Sequence, residues 1–336
     1  MSYFSLGDMA SSFVLRRQNT NLNSELARLA QEMSSGQTAN IAQHLNGNYS
    51  YLGDIERGLR INASYATAST EASIFTGTMQ AALENVQNLA QDVSNDLLIA
   101  SATEVPQAYA RASDAAAGAL ETIISSLNYT AAGRSLFAGA QSDSLPLISA
   151  DEMLSELRTA VTGETTLSGI LSTIDTWFDD AGGGFETLAY RGSTTNISPF
   201  LLDEAETIEI DVRADATEIR AVLKNTVIAA LAGDDTLGYS HDLQNQLLTA
   251  AGENLMASQA DLTALRAGLG YAESRIEENT TRLSSEKTSL EIARNNLLGV
   301  DLYETATQME AVQLQLEGLY TATVKLTRLS LVNYIS

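Results

Sequence analysis

The chain has 336 residues, 42 of them acidic and 19 basic, with a net charge of −23 and no cysteine. That charge repels polyanions, so neither nucleic acid nor a membrane surface is expected as a partner. The absence of cysteine removes both a disulfide framework and thiolate chemistry.

The opening stretch MSYFSLGDMASSFVLRRQ lacks a basic segment followed by an unbroken apolar run, and no stretch of about 18 apolar residues occurs anywhere. A cleaved signal or membrane anchor is therefore not expected. All three prolines, Pro106, Pro146 and Pro199, lie in the middle of the chain, so both flanks can carry long helices.

From Asp8 to Ser35 there is no Gly or Pro, and Leu15, Leu22, Leu26, Leu29 and Met33 fall at heptad spacings, with Asn19 in the remaining core slot. This predicts a coiled-coil helix. A second such stripe runs Met79, Leu83, Val86, Ala90, Val93, Leu97, Ala100.

Between the helical flanks the texture changes. The segment FETLAYRGSTTNISPFLL, 185–202, is strand-like with turn signals at Gly192 and Pro199, and DDAGGGF reads as a loop. In TIEIDVRA, 207–214, Ile208, Ile210 and Val212 alternate with charged residues, the period of a half-buried strand.

The third helical stripe is the longest. Leu262, Leu269, Ile276, Leu283, Leu290 and Leu297 recur at every seventh residue, with Leu265, Ala272, Ala293 and Val300 between them. A polar group in such a seam penalises misaligned pairing, so Asn19 and Asn279 either fix helix register or face solvent or an irregular packing. Past Gly299 the phase slips, and Leu302, Ala306, Met309, Leu316 and Tyr320 begin a separate amphipathic helix.

The expected fold is mainly α, a coiled-coil helical hairpin rod built from both chain ends with a small α+β domain inserted at its tip. The expected division is 1–45 with 303–336 as terminal assembly helices, 46–149 with 236–302 as the rod, and 150–235 as the insertion. Charge follows it: residues 1–50 sum to zero and 302–336 to −1, leaving −22 for the middle. Neutral ends suit a crowded place and an acidic middle suits water.

Residues for catalysis are sparse. His44 and His241 have no companion His or Cys at metal-ligand spacing, so a surface or capping role is expected and no metal site. The carboxylates lack a calcium-loop pattern, and AGGG, 181–184, lacks both the phosphate-loop lysine and the dinucleotide spacing. No cofactor and no enzymatic activity are expected.

Three segments carry a resemblance. LNSELARLAQEMSSG (22–36), ERGLRINASYATASTEASIFTGTMQAALENVQNLAQD (56–92) and the stretch from Leu265 to Ser336 resemble the flagellin superfamily of bacterial flagella. Within it, GRSLFAGAQSDSLPL (133–147) and the ending LSLVNYIS are similar to hook-filament junction proteins more than to filament flagellins.

The resemblance implies a non-enzymatic structural subunit, exported unfolded to the flagellum and placed between hook and filament. The partners implied are neighbouring copies of itself in a ring, a hook-side junction protein, flagellin, and an export chaperone on the C-terminal helix. A filament flagellin is the nearest alternative, and a cytosolic signalling coiled coil and an enzyme are more distant ones. The residues expected at the assembly interface are Leu15, Leu22, Leu26 and Leu29 at one end and Leu316, Tyr320, Leu326, Leu329, Leu331 and Tyr334 at the other.

Overall fold

The structure, a computed structural model, describes residues 6–103 and 105–335, with side chains described from Met9 to Arg328. Helices take 75% of the chain, so the fold is mainly α. The strands with hydrogen-bonded partners form two hairpins of two residues per strand. Contacts divide the chain into two units, residues 64–283 and residues 1–63 with 284–336. Two long helices, α3 (Ser50–Thr103) and α8 (His241–Leu298), contribute residues to both.

In the 64–283 unit the sequence stripes become the core. Met79, Leu83, Val86, Ala90 and Leu97 of α3 are buried in one cluster with Leu255, Leu262, Leu269 and Ile276 of α8. Fully burying each large side chain stabilises by about 1.5–3 kcal/mol, an upper estimate. Helices α4 (Pro106–Leu127) and α7 (Thr217–Ala232) pack against each other. The Ser113 hydroxyl lies 2.7 Å from the carbonyls of Ala229 and Ala230 and accepts from the Gly233 amide at 2.8 Å.

The middle segment is more helical than its strand-like texture suggests. It holds α5 (Ala150–Val161), opened by a Ser149–Glu152 capping box, and α6 (Leu167–Asp179). Phe185–Ala189, read as strand, is instead a π-helical turn. Its Phe185 ring stacks on Phe178 and Tyr190 at centroid distances of 5.5 and 6.4 Å, and this aromatic packing overrides the local β tendency.

Of the predicted strand 207–214, only Thr207–Ile208 (β4) has a ladder partner, Phe200–Leu201 (β3). The alternation is nonetheless real, since Ile208, Ile210, Val212 and Ala214 are all buried. The other hairpin pairs Thr130–Ala131 (β1) with Arg134–Ser135 (β2). Asn279 does not pair across a helical seam: its side-chain amide donates to the Leu202 carbonyl at 3.2 Å. It supports the β3–β4 connection, the irregular-packing alternative of the two readings.

The other unit is built on α1 (Leu6–Ser35) and α9 (Leu302–Ile335), which pack against each other. The short α2 (Ile41–His44) follows α1, with the Asn40 side chain accepting from the Gln43 amide at its start. Where α1 ends, Gln37 forms an antiparallel bridge with Gly299, in the turn between α8 and α9. Because α1 arrives at that turn and α9 departs from it, the two helices run antiparallel.

Candidate assembly surface

The α1–α9 pair is closed by a small core of Leu29, Val312 and Leu316, with Leu22, Leu26 and Met309 partly buried against it. Both helices form readily here, since neither contains Pro and only Gly318 interrupts α9. Asp301, just ahead of α9, accepts from the Tyr303 and Glu304 amides at 2.9 and 3.2 Å, meeting donors that a helix start leaves open.

Burial fades toward the chain ends. Among the described side chains, none of α1 before Leu29 and none of α9 after Leu316 is fully buried. Phe13 is 66% exposed, Leu314 70%, Tyr320 53% and Leu326 50%, with Val14 and Val324 also exposed. Apolar side chains left in water along both helices of a pair make a surface that gains by being covered.

The ten residues expected at the interface therefore divide. Leu29 and Leu316 meet inside the chain, Leu22 and Leu26 pack beside them, and Leu15 is half-buried. Tyr320 and Leu326 face solvent. The side chains of Leu329, Leu331 and Tyr334 lie outside the described residues. Heptad spacing could not reveal that one stripe of each helix serves its partner, nor that Phe13, Val14, Leu314 and Val324 are left over.

Charge favours contact at this unit. It carries −2, against −21 for residues 64–283, so like-charge repulsion opposes its approach to another copy least. Near the root of the pair lies an open cleft of about 440 Å³, lined among others by Glu25, Arg28, Glu32, Asp301 and Glu304. Arg28 is held between Glu25 at 2.5 Å and Glu32 at 2.7 Å. The hydrogen bond to Glu25 foremost, then that to Glu32, pushes its pKa up. Buried Glu32 also accepts from the Ala39 amide at 3.0 Å.

His44 lies at the same root, its Nε2 3.0 Å from the Leu297 carbonyl, one of those left open at the end of α8. The histidine thus ties α2 to that helix end. Among the described residues no group of three or more His, Cys, Asp or Glu is placed to hold a metal ion, and no helix is long and apolar enough to cross a membrane.

Residues 253–335 match the family model of the bacterial flagellin C-terminal helical region. This C-terminal region is flagellin-like. The matched stretch takes in most of α8, the turn at Gly299 and Asp301, and all of α9, so one helix of the exposed pair lies within the flagellin-like region. Among solved structures, a protein described as a flagellar hook-associated protein from Vibrio parahaemolyticus is similar at 12% identity and a TM-score of 0.41, over 71% of this chain and 95% of that one. No curated protein sequence matches.

Proposed function

We propose that this chain is a subunit of the junction between flagellar hook and filament, a mechanical adaptor that turns over no substrate. The observation that carries the assembly role is the α1–α9 pair, whose apolar side chains, among the described residues, are covered only near Leu29, Val312 and Leu316. Copies of the chain, a hook-side protein below and flagellin above would cover the remainder.

The two segments similar to junction proteins, 133–147 and the C-terminal LSLVNYIS, favour the junction over the filament body. The division into terminal assembly helices, rod and tip at 1–45 with 303–336, 46–149 with 236–302, and 150–235 belongs to the same reading. So does export of the unfolded chain to the extracellular flagellum, with a chaperone masking α9 beforehand. A groove that takes the apolar face of a helix would suit that chaperone.

Seeded assembly tests the reading. Purified protein added to hook fragments should cap their ends without extending them, because a junction subunit faces different partners above and below. Long filaments grown from this chain alone would make it a flagellin.

A further inference from the structure

We propose that the α1–α9 pair is polarised in charge along its length, and that a second copy of this chain docks side by side with a stagger, cationic half against acidic half. This rests on the assembly role proposed above and names the surface through which copies meet.

In the antiparallel pair, residues 6–21 lie beside 317–335. Together they hold Arg16, Arg17, Lys325 and Arg328 against Asp8 and Glu317. The root half, 22–35 with 301–316, holds Glu25, Glu32, Asp301, Glu304 and Glu310 against Arg28 alone. One half is thus +2 and the other −4. Arg28 is already taken by Glu25 and Glu32, and no cation pairs with Asp301, Glu304 or Glu310 among the described residues. None of the four cations at the other end has an ion-pair partner among them either.

Opposite charges at opposite ends of one helix pair cannot neutralise each other, but they meet when a neighbour is displaced by about half of α1. That is roughly 22 Å at 1.5 Å per residue. Exposed Phe13, Val14, Tyr320 and Val324 lie among the cations, so covering this half also removes water and strengthens the charge pairs. On the acidic side, the cleft bordered by Glu25, Asp301 and Glu304 is open to long cationic side chains. An anionic membrane is the poorer fit for the cationic half, since it would meet a chain of net charge −23.

Charge exchange in the full-length protein, read by analytical ultracentrifugation, tests the contact. One variant combines Arg16→Glu with Arg17→Glu, and a second combines Glu304→Lys with Glu310→Lys; all four side chains are exposed, and circular dichroism checks that the helices persist. The wild-type chain should self-associate, each variant alone should do so at least tenfold more weakly, and their equimolar mixture should regain the wild-type level. Bulk charge alone predicts the reverse for the lysine variant, which is less negative and should associate more strongly. Such strengthening, a mixture no better than its components, or a wild-type chain that stays monomeric at every soluble concentration overturns the proposal. If hook capping succeeds while this exchange fails, only the charge contact falls and the junction reading stands.

Discussion

The amide of Thr38 donates to the carbonyl of Leu298 at 2.8 Å, and the Val300 amide returns a bond to the Gly36 carbonyl at 3.1 Å. These two bonds tie the exit of α1 to the turn that launches α9, so both chain ends leave from one fixed root. The tie depends on Gly36, which sits at φ +69°, a conformation that a β-branched residue adopts only under strain. Gly36→Val should cost on the order of 1–3 kcal/mol at this root. Amide exchange would show it as faster exchange in α1 and α9 with the 64–283 unit unchanged. Unaltered protection in α1 would show that the root does not hold the pair.

The Arg158–Asp234 ion pair, 2.5 Å long, should make the stability of the 64–283 unit depend on pH. Burial pulls the Asp234 pKa up, but hydrogen bonds from Thr236 and Arg158 outweigh it and hold the carboxyl below its ordinary value. Its contribution is therefore present above the unfolded pKa of about 3.9 and lost as pH falls through the lower folded value. Asp234→Asn should cost about 1–3 kcal/mol at neutral pH. The gap from wild type should close in acid. Urea unfolding followed by Trp177 fluorescence measures both, and a gap that does not narrow would contradict the pairing.

Gly139, inside the 133–147 segment, has φ +61°, and a side chain there would come within 2.6 Å of the Ser193 carbonyl and closer still to that of Thr195. The approach is tight because Ser193 donates to the Ala138 carbonyl and Ala140 to the Thr195 carbonyl, both at 2.9 Å. Gly139→Ala should destabilise the unit by roughly 2 kcal/mol or more, from backbone strain and collision together. A urea midpoint equal to wild type would refute that explanation of the glycine.

Much of the fold was legible because, within residues 64–283, the long helices bury what their heptads say they bury, whereas Met33 of α1 is exposed and Leu290 and Leu297 of α8 are only partly buried. Leu262, Leu269, Ile276 and Leu283 are all buried, as the seven-residue repeat requires. The middle was harder. Phe185–Ala189 carries residues that suit a strand, and only the stacking of Phe185 between Phe178 and Tyr190 explains its π-helical turn. Asn279 occupies a heptad position, yet its partner, the Leu202 carbonyl, is 77 residues away, a pairing no periodicity encodes. At the assembly surface the stripes of α1 and α9 were visible, but which apolar residues the pair consumes and which it leaves in water follows only from the packing of Leu29 on Val312 and Leu316.

The fading of burial along the pair predicts a gradient of local stability. Opening costs least where few apolar contacts must be broken, so amides of 9–21 and 317–328 should exchange fastest in the isolated protein and those around Leu29 and Val312 more slowly. Seeding onto hooks should abolish the difference, because neighbours then cover the exposed side chains. Uniform protection along α1 in the free monomer would mean that the pair needs no partner.

The most direct test of the junction assignment is where the protein sits on intact flagella. Antibody against the 150–235 segment, visualised with gold particles in electron micrographs, should label one band at the distal end of the hook and leave the filament bare. Gold along the whole filament would make the chain a filament flagellin, and flagella without any label would remove it from the structure altogether.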